Sequence, residues 1–259
     1  MIGAVRTRWS YLDSPGPIAL AHRGAHGDGI AENSMAAFEA AVRLGLRYVE
    51  TDVHATADGV LVAIHDPTLD RVSDRHGRIA ELAYSSVARA RLADGSPVPL
   101  LADLLHTWPD LRVNIDAKDD RAVGPLLDVL MRTRAHDRVC VGAFSDTRIA
   151  TLRQALPEGT ATALAPREVA ALRFPPPDRL RRRWLPDDVP CVQVPVRMGR
   201  LTVVTPGLLR RAHAQGRQVH VWTIDDPAEM RRLLDLGVDG IVTDNARGLM
   251  AVLGDQPTP

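Results

Sequence analysis

The chain has 259 residues, 45% of them hydrophobic and 25% charged, which excludes a disordered segment and leaves ample length for a real core. Lysine plus arginine equals aspartate plus glutamate at 32 each, so no global basic field points to nucleic acid as a partner. No stretch reaches membrane-spanning length and the opening MIGAVRTRWSYLDSPGPIAL lacks a continuous apolar run, so the expectation is a cytoplasmic protein without stable membrane insertion.

The first strand candidate is PIALAH (17–22), followed by a helical pattern in NSMAAFEAAVRLG that stops at Gly45. Next come LRYVETD (46–52) and VLVAIHD (60–66), with TADG between them. A parallel neighbour would need a crossover of about a dozen residues, so these two are expected to form an antiparallel hairpin. If residues 56–59 form its loop, Ala55 pairs with Val60 and His65 falls opposite Glu50. A slip of one residue would turn His65 away. RVNIDAK (112–118), VCVGAF (139–144), TATAL (160–164) and CVQVPV (191–196) continue the series.

Between TATAL and CVQVPV, the stretch 172–190 carries five prolines and five arginines, either a solvated loop or an arginine rim that attracts an anionic substrate. Further on, Thr205 and Pro206 open a helix that Gly216 ends, before QVHVWTI (218–224). Asp226, Pro227 and Gly237 repeat the plan before DGIVTD (239–244). Removing the return strand of the hairpin leaves eight strand–helix units. The expected fold is therefore α/β, a closed (β/α)8 TIM barrel with a β-hairpin excursion after strand 2, in a single domain 1–259 with its core at about 17–250. An open doubly wound sheet is the alternative, but no glycine-rich phosphate loop follows the first strand. Cys140 and Cys191 are expected as two buried free thiols.

In such a barrel, chemistry sits at the C-terminal ends of the strands. Those ends supply His22 and Arg23, Glu50 and Asp52, Asp116 and Lys118, and Trp222, with His65 joining them from the hairpin. Three carboxylates at one rim repel one another unless a cation lies between them, and oxygen ligands suit a hard divalent ion, Mg2+ or Ca2+, rather than zinc. Lys118 is the only lysine among 32 basic residues, so an arginine-biased chain kept lysine at this place.

The ordered motifs AHRG, ENS, ETD, HDPTLDR, NIDAK, VWTID and DGIVTD resemble those of the glycerophosphodiester phosphodiesterases, from about residue 17 to residue 250. The resemblance implies a phospholipase-C-like barrel that hydrolyses small glycerophosphodiesters to sn-glycerol 3-phosphate and an alcohol. By position it makes His22 and His65 the acid–base pair and Glu50, Asp52 and Asp116 the ligands of one divalent cation. Arg23, Glu32, Asn33, Lys118 and Trp222 become substrate-binding residues. Ala31 stands where the family usually has proline, Ser34 replaces threonine and Asp116 replaces the commoner glutamate. The competing readings are a phospholipase-D-like barrel acting on lysophospholipids or sphingolipids, and a barrel that binds without turnover; against the last, no expected histidine or carboxylate is missing.

Overall fold

Parallel strands in the order β6-β5-β4-β2-β1-β11-β10-β7 form the wall of a barrel in the computed structural model, which describes residues 8–175, 177 and 184–254. Residues 176 and 178–183 of the proline- and arginine-rich stretch lie outside the described residues. The wall consists of β1 (Ile18–Ala21), β2 (Tyr48–Ala55), β4 (Arg112–Ala117), β5 (Val139–Gly142), β6 (Ala161–Thr162), β7 (Cys191–Pro195), β10 (Gln218–Trp222) and β11 (Gly240–Thr243). The ring closes between its two ends, where Ala163 bridges Cys191 in parallel and the Leu164 N–H donates to the Cys191 carbonyl at 2.8 Å. All nine strand candidates are present. The sequence did not announce the short hairpin of β8 (Arg197–Met198) and β9 (Leu201–Thr202) that follows β7.

Helices α1 (Met35–Arg43), α3 (Leu101–Thr107), α4 (Val123–Thr133), α5 (Asp146–Ala155), α6 (Pro166–Arg173), α7 (Pro206–His213), α8 (Pro227–Leu236) and α9 (Ala246–Gly254) alternate with the barrel strands; α2 (Tyr84–Val87) belongs to the excursion after β3 (Leu61–Ala63). The caps fall where the side chains demand them. Ser34, Thr205 and Asp226 each accept from a backbone N–H in the first turn of α1, α7 and α8. Gly237 ends α8 in the left-handed conformation, at φ +97°. Gly24 is required for a different reason: a Cβ there would stand 2.7 Å from the backbone of Ala37, so only glycine lets the turn after β1 lie against α1.

Every residue of β2 is buried, which settles how a strand with alternating charges sits in the middle of a sheet. Val49 and Val53 pack outward against the helices, in one cluster with Phe38, Leu104 and Leu126. Tyr48, Glu50 and Asp52 point inward. Tyr48 closes the lower end of the barrel, where its hydroxyl donates to the Tyr11 carbonyl at 2.8 Å and the two rings meet edge to face. Above them lies a polar layer in which Gln193 donates to Asn114 at 2.8 Å and approaches His220, whose pKa burial pushes down to about 4.

The hairpin departs from the expected register. Ala55 pairs with Leu61, not Val60, because the loop holds five residues: Thr56 accepts from the Val60 N–H through its hydroxyl and from the Gly59 N–H through its carbonyl. By alternation alone His65 would then face away from Glu50. It does not, because β3 stops at Ala63 and the chain leaves the ladder after Ile64. The excursion continues over a small core of its own, with Val62, Ile64, Leu69, Ile79 and Val87 packed together.

Candidate active site

At the upper rim, β1 delivers His22 and Arg23. Arg23 has φ +55°, a conformation uncommon outside glycine, and Asn33 repeats it at +54°. The Arg23 N–H donates to Glu50 Oε2 at 3.1 Å and its carbonyl accepts from the Asn33 N–H at 2.9 Å, so both residues are pinned from two sides. The strain buys a defined direction for the guanidinium, which lies 3.2 Å from Asp52 Oδ2 and 3.0 Å from Glu32 Oε1.

The floor holds three carboxylates and one ammonium. Lys118 Nζ sits 2.7 Å from Asp52 Oδ1 and 2.7 Å from Asp116 Oδ2. Burial works against ionisation of Asp52, yet Lys118 and Arg23 hold its carboxyl below the usual range. Glu50 has weaker help, from the Arg23 N–H at 3.1 Å and His22 Nε2 at 3.9 Å; burial first, then Asp52 and Asp116, push its pKa well up. Burial also raises that of Asp116, with Lys118 opposing. Asp116 Oδ1 is buried and has no hydrogen-bond partner. An orphaned oxygen beside two carboxyl groups pushed toward protonation fits a place for a hard cation.

A second grouping has the closer geometry. Among the described residues, His22, His26 and Asp244 are the set whose ligand atoms all lie within 4.8 Å of one another. Asp244 Oδ1 is 2.7 Å from His22 Nδ1 and 3.0 Å from His26 Nε2, which are hydrogen-bond lengths, and both imidazoles hold the Asp244 carboxyl far below its usual range against burial. His65 has its own carboxylate: Nδ1 lies 2.7 Å from Asp66 Oδ1. Arg71 grips Asp66 through Nε at 2.6 Å and reaches Glu32 through Nη2 at 2.7 Å. The ion pairs thus run from Arg23 through Glu32, Arg71 and Asp66 to His65.

Of the ten residues singled out from the sequence, all but Glu32 and Asn33 line one cavity of about 380 Å³. Glu32 is committed to Arg23 and Arg71, and Asn33 is buried behind Asp52, donating to Asp52 Oδ2 at 3.3 Å and accepting from the Thr51 hydroxyl. Neither lines the cavity with the other eight. Asp244 and Asp66 escaped the sequence reading although both carried a signal, one ending the last strand and the other following His65 directly. Apart from Trp222, the opposite wall also escaped it. Phe144, Leu164, Val194, Met198 and Trp222 line the same cavity, with Phe144 and Met198 each 67% exposed. Phe144 meets Trp222 edge to face at 5.6 Å and lies 5.9 Å from Lys118 Nζ.

The family model of the "Glycerophosphoryl diester phosphodiesterase family" matches residues 22–247. A probable glycerophosphodiester phosphodiesterase 2 of Mycobacterium tuberculosis is 43% identical over 250 residues, covering 94% of this chain and 93% of its own. Human lysophospholipase D GDPD1 is 26% identical, covering 87% of this chain and 82% of its own. Among solved structures, a putative glycerophosphoryl diester phosphodiesterase from Silicibacter pomeroyi superposes with a TM-score of 0.78 at 23% identity, over 95% of this chain and 98% of that one. An Oleispira antarctica phosphodiesterase, solved with the product sn-glycerol-3-phosphate, gives 0.76 at 20% identity, over 92% and 97%. The barrel, the ordered rim residues and these matches lead to one conclusion: the chain belongs to the glycerophosphoryl diester phosphodiesterase family.

Proposed function

We propose that the protein hydrolyses glycerophosphodiesters to sn-glycerol 3-phosphate and an alcohol, with His22 and His65 as the acid–base pair. The observation that carries this reading is the pairing of two imidazoles in one cavity, each with a carboxylate on Nδ1, beside Arg23, Lys118 and three buried carboxyl groups. A carboxylate on Nδ1 fixes the tautomer and leaves Nε2 to exchange a proton with the substrate. One histidine takes the proton of the attacking hydroxyl; the other gives one to the departing alkoxide. Arg23 and Lys118 are placed to meet the phosphate oxygens. Glu50, Asp52 and Asp116 would hold one Mg2+ or Ca2+, which when bound neutralises charge that develops on the phosphate. Asn33, Glu32 and Arg71 keep these groups aligned.

The test is release of sn-glycerol 3-phosphate from glycerophosphocholine and glycerophosphoethanolamine, with Mg2+, with Ca2+ and with EDTA. Turnover that chelator abolishes and one of the two ions restores is expected. Full activity in EDTA would remove the metal from the mechanism, and no release from either compound would remove the substrate class.

A second reading, action on lysophospholipids, has one observation in its favour. The wall of Phe144, Leu164, Met198 and Trp222 offers apolar surface that a glycerophosphodiester without an acyl chain leaves uncovered. Release of choline from lysophosphatidylcholine, compared with release from glycerophosphocholine, separates the two.

A further inference from the structure

Nothing in the hairpin ladder holds the backbone of His65. The Ile64 N–H makes the last bond to β2, to the Asp52 carbonyl at 2.9 Å, and the observed register would aim a continued strand's next side chain away from Glu50. A side chain takes over from the ladder. His54, buried near the end of β2, brings Nε2 to 3.1 Å from the His65 carbonyl oxygen and Nδ1 to 2.7 Å from Asp119 Oδ2. Asp119 is fixed in turn, because its other oxygen accepts from the Ala122 N–H at 3.0 Å and caps the turn after β4.

We infer that His54 is a positioning residue for His65, an inference that rests on the acid–base role proposed above. His54 Nε2–H donates to the His65 carbonyl and replaces the missing strand partner, while Asp119 sets the plane of the His54 ring. The chain from Asp119 through His54 ties the hairpin to the end of β4, the strand that carries Asp116. Asp66 holds the other end of His65, at its ring Nδ1. Backbone and imidazole are therefore clamped separately, which an acid–base group needs, since a misplacement of about 1 Å can cost about 100-fold in rate.

Glutamine and asparagine separate the two contacts. The glutamine amide nitrogen lies as many bonds from Cα as imidazole Nε2 does, so His54→Gln keeps a donor for the His65 carbonyl. The asparagine nitrogen corresponds to Nδ1, so His54→Asn keeps only the contact to Asp119. With glycerophosphocholine as substrate, His54→Gln is expected to stay within about threefold of wild-type kcat. His54→Asn should lose about tenfold in kcat at unchanged KM and unchanged melting temperature. In a His65→Ala background, His54→Asn should cost nothing further, because its effect passes through His65. Wild-type turnover in His54→Asn, a glutamine variant as damaged as the asparagine one, or a loss that persists undiminished without His65 would overturn the inference. So would a fall in melting temperature that tracks the kcat loss in both variants. If His65→Ala alone is fully active, the acid–base assignment fails and carries this inference with it; if His65→Ala is inactive and His54→Asn is normal, only the positioning role fails.

Discussion

The two halves of the barrel mouth are built from opposite materials. On the side of β1, β2 and β4, ionisable groups crowd together and compensate one another: Arg23 against Asp52 and Glu32, Lys118 against Asp52 and Asp116, His22 against Asp244. On the side of β5, β6, β7 and β10, the cavity is faced by Phe144, Leu164, Val194, Met198 and Trp222. The difference teaches how charge can be kept at high density near a surface. An apolar wall removes water from one side of the charged cluster, lowers the local dielectric and strengthens every interaction across the cavity. The charged half carries the groups proposed for the chemistry, and the apolar half offers the surface on which an acyl chain could lie.

Substitutions should respect that division. The largest effects belong to the charged half: His22→Ala and His65→Ala are each expected to lower kcat by at least about 100-fold while leaving the melting temperature near wild type. A comparable kcat loss in Phe144→Ala would break the comparison outright. A smaller effect sharpens it at the floor. Lys118 reaches two carboxylate oxygens at 2.7 Å from one compact point, a geometry that a wide planar guanidinium does not reproduce. Lys118→Arg should therefore lose about tenfold or more in kcat at saturating metal and still fold; near-normal turnover would show that charge alone suffices there.

In the apolar half, Phe144→Ser and Met198→Ser should leave kcat for glycerophosphocholine unchanged. For lysophosphatidylcholine the same changes should raise KM by about fivefold, the scale of roughly 1 kcal/mol of lost apolar contact. Equal effects on both compounds would mean that the wall does not read the acyl chain that distinguishes them.

The smallest catalytic effect is expected beneath both halves. His220 is fully buried, and burial, opposed by Asp239, lowers its pKa from 6.5 to about 4. Between those values the unfolded chain binds a proton that the native protein refuses, so stability falls as pH falls, by on the order of 3 kcal/mol in all. His220→Gln should keep kcat and flatten the decline of the melting temperature between about pH 6.5 and 4. A decline as steep as wild type would assign the acid sensitivity to other groups.

Local chemistry determined a large part of this protein before any folding. Thr205–Pro206 and Asp226–Pro227 start helices and Gly216 and Gly237 stop them because caps and left-handed turns act within a few residues. Strand ends are legible for the same reason, and with them the rim residues His22, Glu50, Asp52, Asp116 and Lys118. Tertiary structure decided the rest. His65 enters the cavity by leaving its strand, held from His54, and no count of alternation could foresee that because the ladder had already ended. Asp244 meets His22 only where the barrel closes the 222-residue separation between them. Glu32 meets Arg23 and Arg71, and Asn33 meets Asp52 and Thr51, only once the barrel brings them together. The apolar wall gathers from four strand ends and one short hairpin, of which only the end with Trp222 stood out in the chain. Contacts of that kind depend on which surfaces long-range packing brings together, and the order of residues states this only once the barrel is closed.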